Sequence, residues 1–76
     1  MNFDEKQALA QDGFVSIREA CEFLSLGETK VYELMDNGEL PFCKFGRARR
    51  IPRRALIEYA ARKIRGGWQK ASGNDF

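Results

Sequence analysis

No histidine occurs among the 76 residues, and there are only two cysteines and two prolines. Without histidine the chain lacks a common zinc ligand and the most frequent general base. Cys21 and Cys43 stand at no zinc-binding spacing. Cys21 sits on a helix face among apolar residues and Cys43 on an expected strand, and both read as small core side chains, which suits a reducing cytoplasm. There is no glycine-rich phosphate loop, and no paired carboxylates lie near a plausible cleft. The expectation is therefore a protein that is not an enzyme and needs no cofactor or metal. No apolar run is long enough for a membrane span or a signal peptide, which points to a cytoplasmic protein that does not engage a membrane. The length allows one small domain, with a core that is marginal but sufficient without metals or disulfides.

What the chain has in quantity is charge, and it is unevenly placed. Residues 1–40 carry three basic and nine acidic residues, whereas residues 41–70 carry ten basic residues and only Glu58 as an acid. A block so basic is an electrostatic footprint for a polyanion. The plain alternative is a solvated basic face with no partner.

Residues 27–40 organise the rest. Gly27 is an acceptable N-cap, and Glu28 places a carboxylate in the first turn, where the helix dipole favours it. Val31, Leu34 and Met35 recur at i, i+3, i+4 and form one apolar face. Asn37-Gly38 supplies a left-handed stop. Such a helix is too short and too polar to stand alone and must be braced by its neighbours.

The brace comes just before it. Ser16 and Glu19 have the spacing of a capping box, so a helix should start at Ile17. Ile17, Ala20, Cys21 and Leu24 form its buried stripe, and Phe23 lies off it. Only Ser25-Leu26-Gly27 separate this helix from the next. Two short helices joined this closely, the second with a polar N-terminal face, form a helix-turn-helix able to lay its second helix in a DNA major groove. Residues 1–13 form a polar flanking segment, for which a frayed helix and disorder are both compatible with the pattern.

Beyond Pro41 the pattern changes to a hairpin, with strands over Phe42–Phe45 and Arg49–Ile51 and a tip at Gly46-Arg47-Ala48. Cys43 and Phe45 are expected to face the core, and Lys44 to face outward. Arg47, Arg49 and Arg50 cluster around the tip, giving a wing able to touch phosphates or enter a minor groove. The alternative is a charged hairpin that only keeps an edge strand soluble, for which one lysine would suffice. A last helix starts at Pro52, with Leu56, Ile57, Tyr59, Ala60 and Ile64 as its apolar face and Tyr59 packing on Phe45 or the first helix. Gly66-Gly67 ends it. Residues 66–76 read as a polar tail in which Trp68 is a candidate for fold-back, exposure or self-association. The fold class is mainly α with a small β-hairpin, a winged helix-turn-helix over residues 14–65.

The ordered set of motifs resembles the excisionase-type, MerR-like helix-turn-helix group, which includes phage recombination directionality factors and AlpA-like regulators. The residues that carry it are Ser16-Ile17 with Glu19-Ala20, Leu24 and Leu26, Lys30 to Leu34, Gly38 to Pro41, Lys44 to Arg47, Arg50 to Pro52, Leu56 and Tyr59. They span roughly two thirds of the chain, and their order and spacing are specific where no single piece is. The resemblance implies that the helix from Glu28 is the recognition helix and the hairpin is the wing. Thr29, Lys30 and Tyr32 would then meet the major groove or its flanking phosphates, and Lys44, Arg47, Arg49 and Arg50 would serve the wing. Glu28 departs from the basic or small residue usual there. It either reads a cytosine amino group or stays out as a helix-start residue.

The resemblance implies a sequence-specific double-stranded DNA-binding protein. One form is an excisionase-like recombination directionality factor that binds and bends DNA to assist a site-specific integrase, acting in a bacterial nucleoid or a phage-infected cell. Another is a small transcriptional regulator, and a third, from a different class, is an adaptor whose basic wing meets an acidic protein. One copy offers about four to six phosphate contacts, so affinity should fall steeply with salt, and a single module buries only about 600–1,000 Å², so several copies are expected to self-associate on repeated sites.

Overall fold

The computed structural model describes residues 2–66. Along them run α1 (Phe3–Ala10), β1 (Phe14–Val15), α2 (Ile17–Leu24), α3 (Glu28–Asp36), β2 (Cys43–Phe45), β3 (Ala48–Pro52) and α4 (Arg53–Lys63). This is the winged helix-turn-helix order, with an extra helix in front and a third strand in the sheet.

Local chemistry explains the helix ends. The Ser16 hydroxyl accepts from the Glu19 N–H at 3.0 Å, and the Ser16 N–H donates to the Glu19 carboxylate at 2.8 Å. That reciprocal cap starts α2 at Ile17. Ser25 ends it with φ +58°, and its N–H turns back to the carbonyls of Cys21 and Glu22. Leu26 then packs against the core, and the extended Gly27 opens α3. Gly38, at φ +83°, stops α3, and the Glu39 and Leu40 N–H groups both close on the Leu34 carbonyl. The left-handed region costs glycine nothing, so the reversal comes without strain.

α1 begins at a capping box of its own, Asn2 with Glu5. The N-x-x-E spacing is the signal that could have selected a helix for this segment over disorder. α1 buries no residue fully, but Leu9 is half-buried, and Arg54 of α4 donates to Asp12 at 3.1 Å just beyond its end.

The sheet has the order β1-β3-β2, all antiparallel. β3 is therefore the central strand, where the sequence suggests half of a two-stranded ribbon. β1 is two residues long, too short to show alternation, and it pairs with Ile51 and Pro52 far along the chain. Phe45 and Ala48 are partners, so the turn is the two residues Gly46-Arg47 and not three. Gly46 at φ +68° takes the first central position, as a tight hairpin turn matched to strand twist requires.

The core gathers Val15, Ala20, Val31, Leu34, Met35, Leu40, Ile51, Leu56 and Tyr59, with Ile17, Cys21, Leu24 and Leu26 packed around it. Three sequence expectations need correction. Phe45 does not enter this core. It is 58% exposed and meets Phe14 edge-on at 5.4 Å, because its side of the edge strand faces an apolar groove of about 690 Å³ shared with α1 and not the helical core. Tyr59 is buried without it. Ile57 is exposed, since α4 turns Ala55, Leu56 and Tyr59 inward instead, and Ile64 is exposed because the helix ends at Lys63, short of Gly66-Gly67, with Ile64 already extended at ψ 131°.

Candidate nucleic-acid interface

α3 uses Val31, Leu34 and Met35 to seat itself, which leaves Thr29, Lys30, Tyr32, Glu33 and Asp36 on its outer surface. Lys30 lies 3.7 Å from Glu33, one turn on. Glu28, at the start of the helix, is exposed. Beside α3 stands the hairpin. Lys44 and Arg47 are exposed, and Arg47 is at the tip. Arg50 is half-buried, and its Nη1 donates to the Arg49 carbonyl at 2.8 Å, so its side chain lies along its own strand.

Arg49 is placed differently. Its guanidinium lies 4.6 Å from the Phe42 ring centroid and 5.3 Å from that of Tyr32, with Nη1 3.5 Å from Asp36. Of the residues expected to meet DNA, the structure thus brings Tyr32 and Arg49 into contact with each other. Thr29, Lys30, Lys44 and Arg47 remain open to solvent. Phe42 and Asp36 were not among the candidate residues. They belong to different segments, and no spacing rule connects positions 36, 42 and 49.

The ion pairs also change the charge reading. Glu33, Asp36 and Glu39 should repel phosphates if they face them. Each has a basic partner: Lys30, Arg49 and, at 3.7 Å, Lys63 of α4. Through Arg49 and Lys63 the basic second half meets the acidic first half, so the charges of Glu33, Asp36 and Glu39 are locally compensated. The pairs are exposed to differing degrees and contribute little stability each. Their effect is on the field that an approaching polyanion meets.

The remaining titrating groups look structural. Glu19 has its pKa lowered, first by the Ser16 backbone hydrogen bond, with smaller help from the Ser16 hydroxyl, Arg53 and Arg50. Burial raises both thiols, with Glu28 and Glu22 adding to the effect at Cys21. Both are poor thiolates at neutral pH. Among the described residues no group of histidine, cysteine or carboxylate side chains could hold a metal ion. None of the described helices is long and apolar enough to cross a membrane.

Residues 14–64, from the start of β1 to the residue that caps α4, match the family described as Helix-turn-helix domain. Over 50 residues the chain is 48% identical to a protein of Saccharopolyspora erythraea described as "Probable excisionase". The chain belongs to the helix-turn-helix domain family. The alignment takes in 66% of this chain and 51% of that relative, so the chain spans about half the length of the curated protein it matches. No solved structure matches it. Within the matched residues, α2 and α3 are the two helices of the helix-turn-helix, and the β2–β3 hairpin follows them as the wing.

Proposed function

We propose that this protein binds double-stranded DNA in a sequence-specific way and acts as an excisionase-like directionality factor, bending its site in support of an integrase. The observation that carries the reading is the exposed basic wing tip beside an outward-facing α3 whose Glu33 and Asp36 are paired with cations. Thr29 and Lys30 read the major groove or its flanking phosphates. Lys44 and Arg47, with Arg50, hold phosphates or enter the minor groove. Tyr32 stands at the border between the helix and the wing. Glu28 serves the helix start.

The binding unit proposed is residues 14–65, with residues 1–13 as a flanking segment and 66–76 as a tail. The role considered for Trp68 in self-association concerns a residue outside those described. The proposal assigns no catalysis. The family resemblance also fits a small promoter regulator, which would use the same surface. The name of the curated relative favours recombination.

With about four phosphate contacts per copy, affinity should fall by about two orders of magnitude between 50 and 200 mM salt. Circular-permutation gel shifts on the DNA flanking the gene, with a site-specific integrase present and absent, test the finer reading. Bent complexes that recruit integrase are expected. Straight complexes indifferent to integrase would leave the regulator reading.

A further inference from the structure

Three segments converge on one side chain. Arg49 leaves the central strand and places its guanidinium over the ring of Tyr32 on α3 and over that of Phe42, which follows α3 in sequence. Asp36, one helical turn beyond Tyr32, lies 3.5 Å from Nη1. The Arg49 side chain is only 26% exposed, and Nη1 is buried without a hydrogen-bond partner. Among the described residues no backbone hydrogen bond joins α3 to β2 or β3, and Arg49–Asp36 is the only ion pair between them. Lys44 is the cross-strand partner of Arg49, and two cations facing each other would repel without this anchorage.

We infer that Arg49 is a positioning residue: it sets the angle between the reading helix and the wing, and it does not itself contact DNA. A guanidinium is suited to this because it is planar, always charged and stacks on rings, whereas an ammonium is a strongly hydrated point charge. An arginine that held phosphate would have to leave two rings and a carboxylate. The wing's phosphate contacts then fall to Lys44, Arg47 and Arg50. The inference rests on the DNA-binding function proposed above and adds how the two halves of the interface are held in register.

The test compares wild type, Arg49→Lys and Arg49→Gln on DNA from the gene's own flanking region and on random DNA, across a salt series. Thermal melts establish that each variant is folded. Both variants should lose about tenfold or more in affinity for the native DNA, while the salt slope stays at the wild-type value. Rescue by lysine, together with a slope about one unit shallower in Arg49→Gln, would make Arg49 a phosphate ligand and overturn the inference. Retained preference in both variants would overturn it as well. If wild type itself shows no preference between the DNAs, the proposed function fails and the inference fails with it. A second measurement needs no variant. Stacking on two rings should shift the Arg49 δ-proton resonances upfield in free protein, and the shift should persist in the DNA complex. Its disappearance on binding would mean that the side chain is released to the DNA.

Discussion

At the scale of single residues, Glu19 and two surface cations give the sharpest expectations. Folding lowers the Glu19 pKa from its ordinary 4.5. In the acid range the unfolded chain therefore holds more protons at this site than the folded one, so stability rises with pH there. The contribution is present above 4.5 and is lost as pH falls through the folded pKa. Glu19→Gln should flatten the acid limb of a melting temperature against pH curve, and an unchanged limb would remove the cap from the account. Lys30 and Arg47 separate reader from clamp. Lys30→Ala should weaken preference for the native site. Arg47→Ala should weaken native and random DNA alike and make the salt slope shallower by about one. Identical effects of both changes on all DNA would dissolve that division. Glu19 and Arg47 were legible in the sequence, since a capping box is a spacing and a hairpin tip is a local pattern. The setting of Arg49 was not, because Tyr32, Asp36 and Phe42 meet it only once α3 and the sheet have packed.

At the scale of elements, α2, the turn, α3 and α4 could all be read from periodicity and capping, and each stands close to where those signals put it. The sheet was harder. β1 is two residues and finds its partner across the whole domain, so neither length nor alternation announces it. Its pairing makes β3 central and explains why Ile51 is completely buried while Phe45, on the edge strand, is not. Ile51→Ala should accordingly cost about 2–5 kcal/mol in denaturant unfolding. Gly46→Ala should cost about 1 kcal/mol, because alanine would be strained at the positive φ of the tip although space around it is open. If Gly46→Ala proved neutral, the two-residue turn would have to be a different one.

At the scale of the whole molecule, the division of charge along the chain becomes a division of labour in space. Part of the basic half compensates acids around α3 and at Asp12, and the exposed remainder includes the wing. Net charge alone, at +2, would have suggested a far weaker affinity for a polyanion. The flanking helix α1 buries nothing fully, so a chain that begins at Asp12 should keep its fold and its DNA preference, with a modest drop in melting temperature. Loss of DNA binding in that truncation would extend the functional unit to α1.

The central claim is that this winged helix-turn-helix recognises a particular DNA sequence. A fluorescence anisotropy and gel-shift titration of the intact chain, on DNA from its own upstream and neighbouring region and on random DNA of equal length, at two salt concentrations, tests it most directly. A preference of about tenfold or more for the native DNA is expected, with stepwise complexes as copies add and a steep loss of affinity at the higher salt. Equal, weak binding to both DNAs that vanishes with salt would contradict it, and would direct the search to an acidic protein partner for the basic wing.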